Sequence, residues 1–387
     1  MREDGLRRST FRLATKDGQT LFVHRWLPEA SPKAAVQIVH GIVEHAGRYA
    51  RLADALNCAG YAVYASDHRG HGRTASKPEE LGFFAERNGW RKCVDDLWSL
   101  NQRIVADYPG LPIVLIGHSV GSLMAQHFIS DHGEALAGVV LASSNLTPVG
   151  WTRALRAIAA VERLRLGRHG RSELVHTLTF GKLNRQFRPT RTHADWISRD
   201  SVEVDKYVAD PLCSFRPTLQ LWIDLLDAIG EIARLSRQAR IPKQLPIYVI
   251  AGTGDPFAQG KSLEQLLRAF YAAGLHVTCR FYPEARHELF HETNREEVTR
   301  DLVTGSMAWS DTRVPQAVSL RCRAGDGLGP EGLGRLRREQ RCVDRVGIPR
   351  IKRPSPPVGG MEDARHLGAR WRWSTPTCAA LEQSNRV

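Results

Sequence analysis

One serine stands between two glycines in the pentapeptide GHSVG at 117–121. An apolar run, 111–117, precedes this GxSxG pattern, and a stretch with helical spacing, about 120–132, follows it. In that context the pattern is typical of a nucleophile elbow, a tight turn that raises a serine hydroxyl above the end of a sheet. The glycines let strand and helix come close together, and we expect Ser119 to adopt strained dihedral angles.

A serine hydroxyl is a poor nucleophile, so a base and an acid that orients the base should accompany Ser119. Asp255 follows the apolar run "LPIYVIAG" at 245–252, and His287 follows the strand-like "HVTCRFYP" at 276–283. Catalytic groups collect at the carboxyl ends of parallel strands, where separate segments of the chain converge. The order serine, acid, histidine predicts a catalytic triad of Ser119, Asp255 and His287.

Other side chains could fill the same roles. His291 lies one helical step beyond His287, and Asp210, Asp224 and Glu44 are alternative acids. None of them directly follows one of the predicted strands at 245–252 and 276–283 in the order serine, acid, histidine. The triad of Ser119, Asp255 and His287 is therefore preferred.

Two backbone amides are expected to stabilise the oxyanion of a tetrahedral intermediate. Val120 N–H, directly after the nucleophile, is the first candidate. Ile42 N–H is the second, because "VHGIVEHAGRY" at 39–49 follows a buried strand and must turn back over the site. His40 and His45 of the same segment are interpreted as loop-packing residues rather than as bases.

The elements that must position these residues alternate between strand and helix. A hairpin is predicted around the turn at 16–18, and helices are predicted to stop at Gly60 and Gly274 and to begin at a capping Asn294. The predicted strands after the hairpin are 34–40, 61–67, 111–117, 137–143, 245–252 and 276–283, and the predicted helices include 49–59, 120–132, 262–273 and 294–309. Such alternation indicates an α/β protein with a mainly parallel sheet and helices on both faces.

The alternation of strands and helices stops after Asn145, and no strand pattern is found for about ninety residues. We therefore predict a core of 1–145 and 241–312, a helical cap insertion at 146–240, and a basic, disordered tail at 313–387. Apolar cap residues such as Trp151, Leu174 and Trp196 either line an acyl tunnel or pack the cap onto the core. The basic stretch at 163–171 could hold the cap near an anionic lipid surface, giving a transient membrane contact.

Charge and composition exclude several classes of protein. The chain has 387 residues and a net charge of +13, but basic residues exceed acidic ones by about eight in the tail alone, so nucleic-acid binding is not expected.

No apolar stretch approaches the ~20 residues of a membrane helix, which favours a cytoplasmic protein. The seven cysteines form no CxxC pair, so neither a disulfide framework nor a metal site is predicted, and no cofactor is expected. No oligomeric state is predicted.

Four stretches make the chain similar to a known family: "HGIVEHAGRY", "SDHRGHGRT", "GHSVGS", and "GTGDPF" with "PEARHELFHETNREEV". Over about residues 8–311 it resembles the monoglyceride lipase and lysophospholipase-like branch of the α/β-hydrolase fold, also grouped as serine aminopeptidase S33. The resemblance implies an α/β-hydrolase fold with a cap, the same triad and oxyanion donors, and no metal. Val43 departs from it, because relatives often have a small residue there.

The expected function is therefore hydrolysis of carboxylic esters of single-chain lipids by a serine hydrolase, with a monoacylglycerol or a lysophospholipid as substrate. The alternatives are a short-chain carboxylesterase or thioesterase and, less favoured, a binding protein that keeps the fold without catalysis.

Overall fold

The computed structural model describes residues 7–146, 149–258 and 260–306. The predictions made for 313–387 lie outside these residues. The strands are β1 (Arg7–Ala14), β2 (Thr20–Leu27), β3 (Ala34–Val39), β4 (Tyr61–Ser66), β5 (Ile113–His118), β6 (Gly138–Ala142), β7 (Ile247–Gly252) and β8 (Val277–Tyr282). The α-helices are α1 (Ala50–Cys58), α2 (Gly89–Asp107), α3 (Val120–His132), α4 (Val149–Leu166), α5 (Glu173–Leu178), α6 (Phe180–Leu183), α7 (Ser201–Ala209), α8 (Leu219–Ile232), α9 (Leu235–Gln238), α10 (Lys261–Ala272) and α11 (Arg295–Asp301).

All eight strands form one sheet in the order β1-β2-β4-β3-β5-β6-β7-β8. The hairpin β1–β2 and its β2–β4 neighbour are antiparallel, and every pair from β4 to β8 is parallel. This is the mainly parallel sheet that the alternating pattern predicts. Because β5, β7 and β8 run in the same direction, the segments that follow them emerge at one edge.

Helices cover both faces of the sheet, because alternate strand residues point to opposite sides. Leu115 of β5 belongs to an apolar cluster with Leu97 of α2 and Phe128 of α3. Its neighbour Ile116 belongs to a second cluster, with Leu56 of α1 and Val298 of α11. The two clusters hold the sheet from either side, as the unbroken apolar character of the central strands predicts.

Helices α4 to α9 all fall between β6 and β7, where the sequence pattern loses its strands. Helix α8 is buried around most of its circumference, and Leu221 and Leu225 join the same cluster as α2 and α3. This segment is the helical insertion expected from the sequence, and its limits of 146 and 240 stay predictions. Trp196 is buried, whereas Trp151 and Leu174 are 41% and 51% exposed, so much of each of these two side chains faces solvent.

Two predicted helix stops are confirmed: Gly60 and Gly274 have φ of 85° and 71°, the left-handed conformation that glycine adopts readily. The predicted cap at Asn294 is wrong, since its side chain makes no capping hydrogen bond. Its amide instead donates to Glu297 Oε2 at 3.0 Å, while its oxygen accepts from Arg199 at 3.1 Å. These partners occupy the groups that a cap would use.

The last predicted helix, 294–309, is shorter and less regular than expected. Helix α11 ends at Asp301 and continues as one π-helical stretch, Leu302–Ser306. Residues 307–309 lie outside the described residues. Among the described residues, no helix has both the length and the apolar character needed to cross a bilayer. The cytoplasmic location stays a prediction.

Candidate active site

Ser119 occupies the turn between β5 and α3 with φ 54° and ψ −122°, dihedral angles that L-residues rarely adopt. A Cβ atom on Gly121 would lie well inside van der Waals contact with Val39 O, and one on Gly117 would clash with Gly121 O. Both glycines are therefore needed for strand and helix to approach. The backbone N–H of Ser119 donates to Ala142 O at 3.0 Å, which ties the turn to β6. The strained elbow predicted from the sequence is present.

The structure brings Ser119, His287 and Asp255 into one hydrogen-bonded line. His287 Nε2 lies 2.8 Å from Ser119 Oγ, and His287 Nδ1 lies 3.0 Å and 3.1 Å from the two carboxylate oxygens of Asp255. All three side chains are buried. Because the carboxylate only accepts, Nδ1 carries the proton and Nε2 accepts from the serine hydroxyl. This is the geometry in which an imidazole can remove the serine proton.

Further hydrogen bonds hold the two partners of Ser119 in place. The backbone N–H of Phe257 donates to Asp255 Oδ1 at 2.8 Å, which fixes the acid in its turn after β7. The carbonyl oxygen of His287 accepts from Ser143 Oγ at 2.6 Å and from His118 Nε2 at 3.2 Å. His118 precedes Ser119 in the chain, so the nucleophile and base segments are bonded to each other as well as through the side chains.

The 40–45 loop lies directly beside the serine. A Cβ on Gly41 would sit 3.3 Å from Ser119 Cβ, so the loop backbone passes close to the hydroxyl. Within the described residues, neither the Ile42 nor the Val120 amide donates a hydrogen bond to another part of the chain. The two amides named from the sequence are therefore free of other partners in that part of the chain, and their role as oxyanion donors stays a prediction.

The alternative acids and bases bind elsewhere. His291 Nε2 donates to Arg48 O at 3.1 Å, Asp210 Oδ2 accepts from His45 Nε2 at 3.0 Å, and Asp224 accepts from Gln220. His40 is fully buried, with Nδ1 donating to Gly41 O at 2.7 Å and Nε2 accepting from the His68 N–H at 3.0 Å. These contacts agree with the loop-packing interpretation of His40 and His45.

A buried network of charges connects the 40–45 loop to the histidine segment. Glu44 Oε1 accepts from the Gly41 N–H at 2.6 Å and from Tyr49 Oη at 2.9 Å, and lies 3.1 Å from His118 Nδ1. Arg48 bridges Glu44 to Glu288, the residue after His287, with N–O distances of 2.6 to 2.7 Å. Two loops that carry candidate catalytic groups thus share one hydrogen-bonded support.

The contacts within this network shift the pKa values of its members. Burial by itself raises the pKa of the Glu44 carboxyl, but the hydrogen bond from His118 and the charge of Arg48 outweigh burial and hold that pKa well below its usual range. Burial lowers the pKa of His118, yet its bond to Glu44 leaves the pKa raised. The pKa of Glu288 is lowered, with Arg48 overcoming the cost of burial. The cluster therefore carries two carboxylates, a guanidinium and an imidazole whose proton Glu44 stabilises.

Two rings from different segments enclose the imidazole of His287. The Trp196 ring lies 4.7 Å from it, centroid to centroid, and the Phe257 ring lies 5.3 Å away edge-on. Ser119 is only 6% exposed beneath this cover. Trp196 belongs to the insertion between β6 and β7, so that segment closes directly over the reactive groups and reduces the access of water.

One set of side chains in the described residues has the composition of a metal site: His45, Asp210 and Cys213, whose ligand atoms all lie within 4.8 Å of one another. His45 and Asp210 already pair with each other at 3.0 Å. Burial raises the pKa of the Cys213 thiol, which opposes formation of the thiolate that a transition metal binds. The hydrogen bond between His45 and Asp210 joins the 40–45 loop to the insertion.

Sequence reasoning missed Arg48, Glu288 and Ser143 as supports of the site. Glu44 and Arg48 lie four residues apart, a spacing that signals an ion pair, but nothing in the sequence relates them to Glu288, 240 residues from Arg48. Ser143 has φ 51° directly after β6, a conformation that no local pattern announces.

Comparison with known proteins agrees with this geometry. Residues 30–294 match the Hydrolase_4 family, described as serine aminopeptidase S33. The chain is 28% identical to monoglyceride lipase of Homo sapiens over 76% of this chain and 92% of that protein, and 28% identical to monoacylglycerol lipase of Mycolicibacterium smegmatis over 77% and 96%. A thermostable carboxyl esterase from Bacillus coagulans, solved in complex with glycerol, superposes with a TM-score of 0.71 at 26% identity, covering 80% of this chain and all of that one. The chain therefore belongs to the Hydrolase_4 (serine aminopeptidase S33) family and is a serine hydrolase of the α/β-hydrolase fold.

Proposed function

We propose that this protein hydrolyses carboxylic esters of single-chain lipids, with monoacylglycerols as the leading substrate class. The observation that carries the proposal is the 2.8 Å separation of His287 Nε2 from Ser119 Oγ, with Asp255 bonded to the far side of the imidazole. The named activities of the human and mycobacterial relatives support the choice of lipid esters.

In the proposed acylation step, Ser119 Oγ attacks the ester carbonyl carbon while its proton moves to His287 Nε2. Asp255 keeps Nδ1 protonated and stabilises the imidazolium that forms. The negative charge on the carbonyl oxygen faces the amides of Ile42 and Val120, where fixed donors stabilise it more strongly than water does. The intermediate collapses when the alcohol leaves with the proton from Nε2, and the acyl group stays on Ser119.

Deacylation reverses these roles. Water gives a proton to His287 Nε2 and attacks the acyl carbonyl, and the same amides donate hydrogen bonds to the oxyanion. The fatty acid leaves as Ser119 Oγ recovers its proton from Nε2. Each proton that enters the imidazole leaves again within the cycle, so no cofactor is needed. A water-poor site under Trp196 favours this sequence by strengthening the electrostatic interactions.

Exposed apolar side chains of the insertion support contact with a lipid surface. Leu164 is 87% exposed and Val161 65%, and Trp151 and Leu174 are also exposed. Arg163, Arg165 and Arg168 lie in the same stretch of sequence, where Arg165 pairs with Glu162 and Arg168 with Glu86. Exposed apolar side chains beside basic ones are typical of helices that rest on an anionic bilayer. We propose that substrate reaches the site while this face touches the membrane.

Vesicle sedimentation tests this contact. With vesicles of phosphatidylcholine and phosphatidylserine, the Leu164→Asp variant should bind less than the native protein, because about 1.5–3 kcal/mol of apolar transfer is lost and a negative charge is added. Leu235→Asp, the same substitution at a leucine that is 69% exposed in α9, controls for the added charge and for the loss of an exposed leucine. Equal binding by the native protein and the Leu164→Asp variant would reject this face as the contact.

Ester hydrolysis itself is tested by comparing monoacylglycerols of increasing chain length with p-nitrophenyl esters. Hydrolysis should disappear in Ser119→Ala and in His287→Ala, with a maximum at long acyl chains for a lipid hydrolase. A maximum at acetate or butyrate would favour the second candidate, a short-chain carboxylesterase or thioesterase, which the Bacillus coagulans esterase makes reasonable. Absence of hydrolysis with every ester would leave the binding-protein alternative.

A further inference from the structure

A cavity of about 230 Å³ lies within the insertion, next to the site but outside it. Its floor includes Val43, which follows the candidate oxyanion donor, and Trp196, whose ring contacts His287. Phe180 continues the floor, with its ring 6.2 Å from that of Trp196. A substrate held at Ser119 therefore has a second compartment one side chain away.

The polar lining of this cavity is one-sided in charge. Arg185 and Arg188 line it together with His176 and His193, and no aspartate or glutamate is among its lining residues. Neither arginine forms an ion pair with another described residue, although most arginines elsewhere in the insertion do, such as Arg156 with Asp227. Both side chains are exposed as well as lining the cavity, so solvent partly screens their charges. Two unpaired cations at one cavity still favour an anionic ligand.

Further hydrogen-bonding groups complete the lining. His176 Nδ1 is buried without a hydrogen-bond partner, which costs free energy unless a ligand or water satisfies it. His193 Nε2 lies 2.6 Å from Ser214 Oγ, so the two side chains hold each other at the rim. Thr190 adds another hydroxyl. The cavity thus offers several polar groups around two guanidinium groups.

The segment that carries the arginines is held in a defined shape. Asn184 Nδ2 donates to Thr192 O at 2.8 Å, and Asn184 Oδ1 accepts from the Trp196 N–H at 2.9 Å. On the opposite wall, the Ser214 N–H donates to Val43 O at 2.9 Å. The walls are therefore fixed by hydrogen bonds before any ligand arrives, which reduces the entropy that binding must offset.

We infer that this cavity binds the phosphate of an anionic lipid headgroup, so that the enzyme accepts acylglycerol phosphates, with Arg185 and Arg188 as the specificity-determining residues. The inference rests on the proposed ester hydrolysis at Ser119, since the acyl carbonyl must reach that serine while the phosphate occupies the cavity. A phosphate monoester has three terminal oxygens and can accept from both planar guanidinium groups, whereas a carboxylate has only two oxygens. The chemistry at Ser119 is unchanged: only the leaving alcohol carries a phosphate.

The first experiment compares kcat/KM for a 1-acylglycerol 3-phosphate with kcat/KM for the monoacylglycerol of the same chain. In Arg185→Gln/Arg188→Gln this ratio should fall about tenfold, because charged hydrogen bonds are lost at a partly exposed site. The Arg87→Gln/Arg153→Gln variant removes the same charge from two exposed arginines outside the cavity and should keep the native ratio. An unchanged ratio in the cavity variant would overturn the inference.

A binding measurement separates this inference from the proposed function. The Ser119→Ala protein is titrated calorimetrically with a 1-O-alkylglycerol 3-phosphate, whose ether bond is not hydrolysed, and with the corresponding alkylglycerol. The phosphate compound should bind about tenfold more tightly, and the arginine substitutions should remove that advantage. Equal binding of the two ethers overturns the inference, even where Ser119-dependent ester hydrolysis stands.

Binding and hydrolysis can also separate in the opposite direction. Arginine-dependent binding of the phosphate ether by a protein that hydrolyses no ester would support the cavity and reject the hydrolase proposal. Inorganic phosphate provides the last arm. If it binds as tightly as the ether phosphate, the cavity is a phosphate site unrelated to lipid headgroups, and the inference fails.

Discussion

Glu44 accepts a hydrogen bond from the backbone N–H of Gly41 at 2.6 Å, so a buried carboxylate fixes the loop that carries the Ile42 amide. The same carboxylate is bonded to Arg48, which holds Glu288 next to His287. The position of the candidate oxyanion donor and that of the candidate base therefore depend on one side chain, which touches neither substrate nor reacting atoms in the proposed mechanism.

Substitution of Glu44 should lower kcat more than it raises KM. Glu44→Gln keeps an acceptor for Gly41 but loses the charge that Arg48 requires, and we expect kcat to fall about 10- to 100-fold, as for other losses of oxyanion alignment. Steady-state kinetics on protein shown to be folded by circular dichroism measures the effect. Glu203→Gln is the matched control, because Glu203 pairs with Arg51 outside this network. Equal losses of kcat in both variants would contradict a positioning role.

Gly121 in the elbow and Gly230 in α8 should respond in opposite ways to substitution by alanine. Gly121→Ala places a methyl group against the carbonyls of Val39 and His40, so we expect loss of the folded elbow and of activity. Gly230→Ala, within α8, meets no atom within 4 Å and should stabilise the protein by about 0.5–1 kcal/mol through helix propensity. Urea unfolding monitors both. A Gly121→Ala variant with native activity would show that the turn is not constrained.

Val43 adopts φ 54°, an unusual conformation for a β-branched residue, and its side chain is buried. Val43→Ala loses packing but keeps the unfavourable backbone, whereas Val43→Gly loses packing and relieves about 1–2 kcal/mol of strain. The glycine variant should therefore be at least as stable as the alanine variant in urea. At Val39, in an extended strand, the order should be the usual one, with alanine more stable. The same order at both positions would contradict the strain.

Acid should destabilise the protein through its buried histidines. Burial lowers the pKa of His291 to about 4, with Arg48 adding to the effect, and burial lowers the pKa of His71 to about 3. Between about pH 6.5 and 4, the unfolded chain, with a histidine pKa near 6.5, binds protons that the folded chain does not bind. Stability is therefore full above about pH 6.5 and falls as the pH drops toward 4, by at most about 1.4 kcal/mol per pH unit for each such histidine.

The His291→Gln variant tests this assignment. Glutamine can still donate to Arg48 O but does not titrate, so the slope of unfolding free energy against pH between 6.5 and 4 should decrease. Chemical unfolding at half-unit intervals measures the slope. A slope identical to that of the native protein would mean that His291 is not the source.

The meeting of Ser119, Asp255 and His287 was predictable from the sequence because each follows a strand, and parallel strands end at one edge. The hairpin and the glycine stops at Gly60 and Gly274 were readable because turn chemistry is local. The support of the site was not, since Arg48 and Glu288 meet only in three dimensions. Asn294 shows the limit of local rules: a residue suited to capping was used by Arg199 and Glu297 instead.

The insertion was predicted only as a helical segment. Helical spacing in the sequence does not say which apolar residue faces the core, and Trp196 and Trp151 have the same side chain but opposite environments. The cavity with Arg185 and Arg188 was equally hidden, because its lining comes from segments that run from Val43 to Phe215.

The most direct test of the proposed nucleophile is where a fluorophosphonate reacts. If Ser119 is the nucleophile, its Oγ forms a bond to phosphorus, fluoride leaves, and His287 takes the serine proton. Peptide mass spectrometry should then place the adduct on the peptide containing Ser119, at one equivalent, and Ser119→Ala should lose both the adduct and monoacylglycerol hydrolysis. An adduct on another residue, or full hydrolysis by Ser119→Ala, would contradict this mechanism.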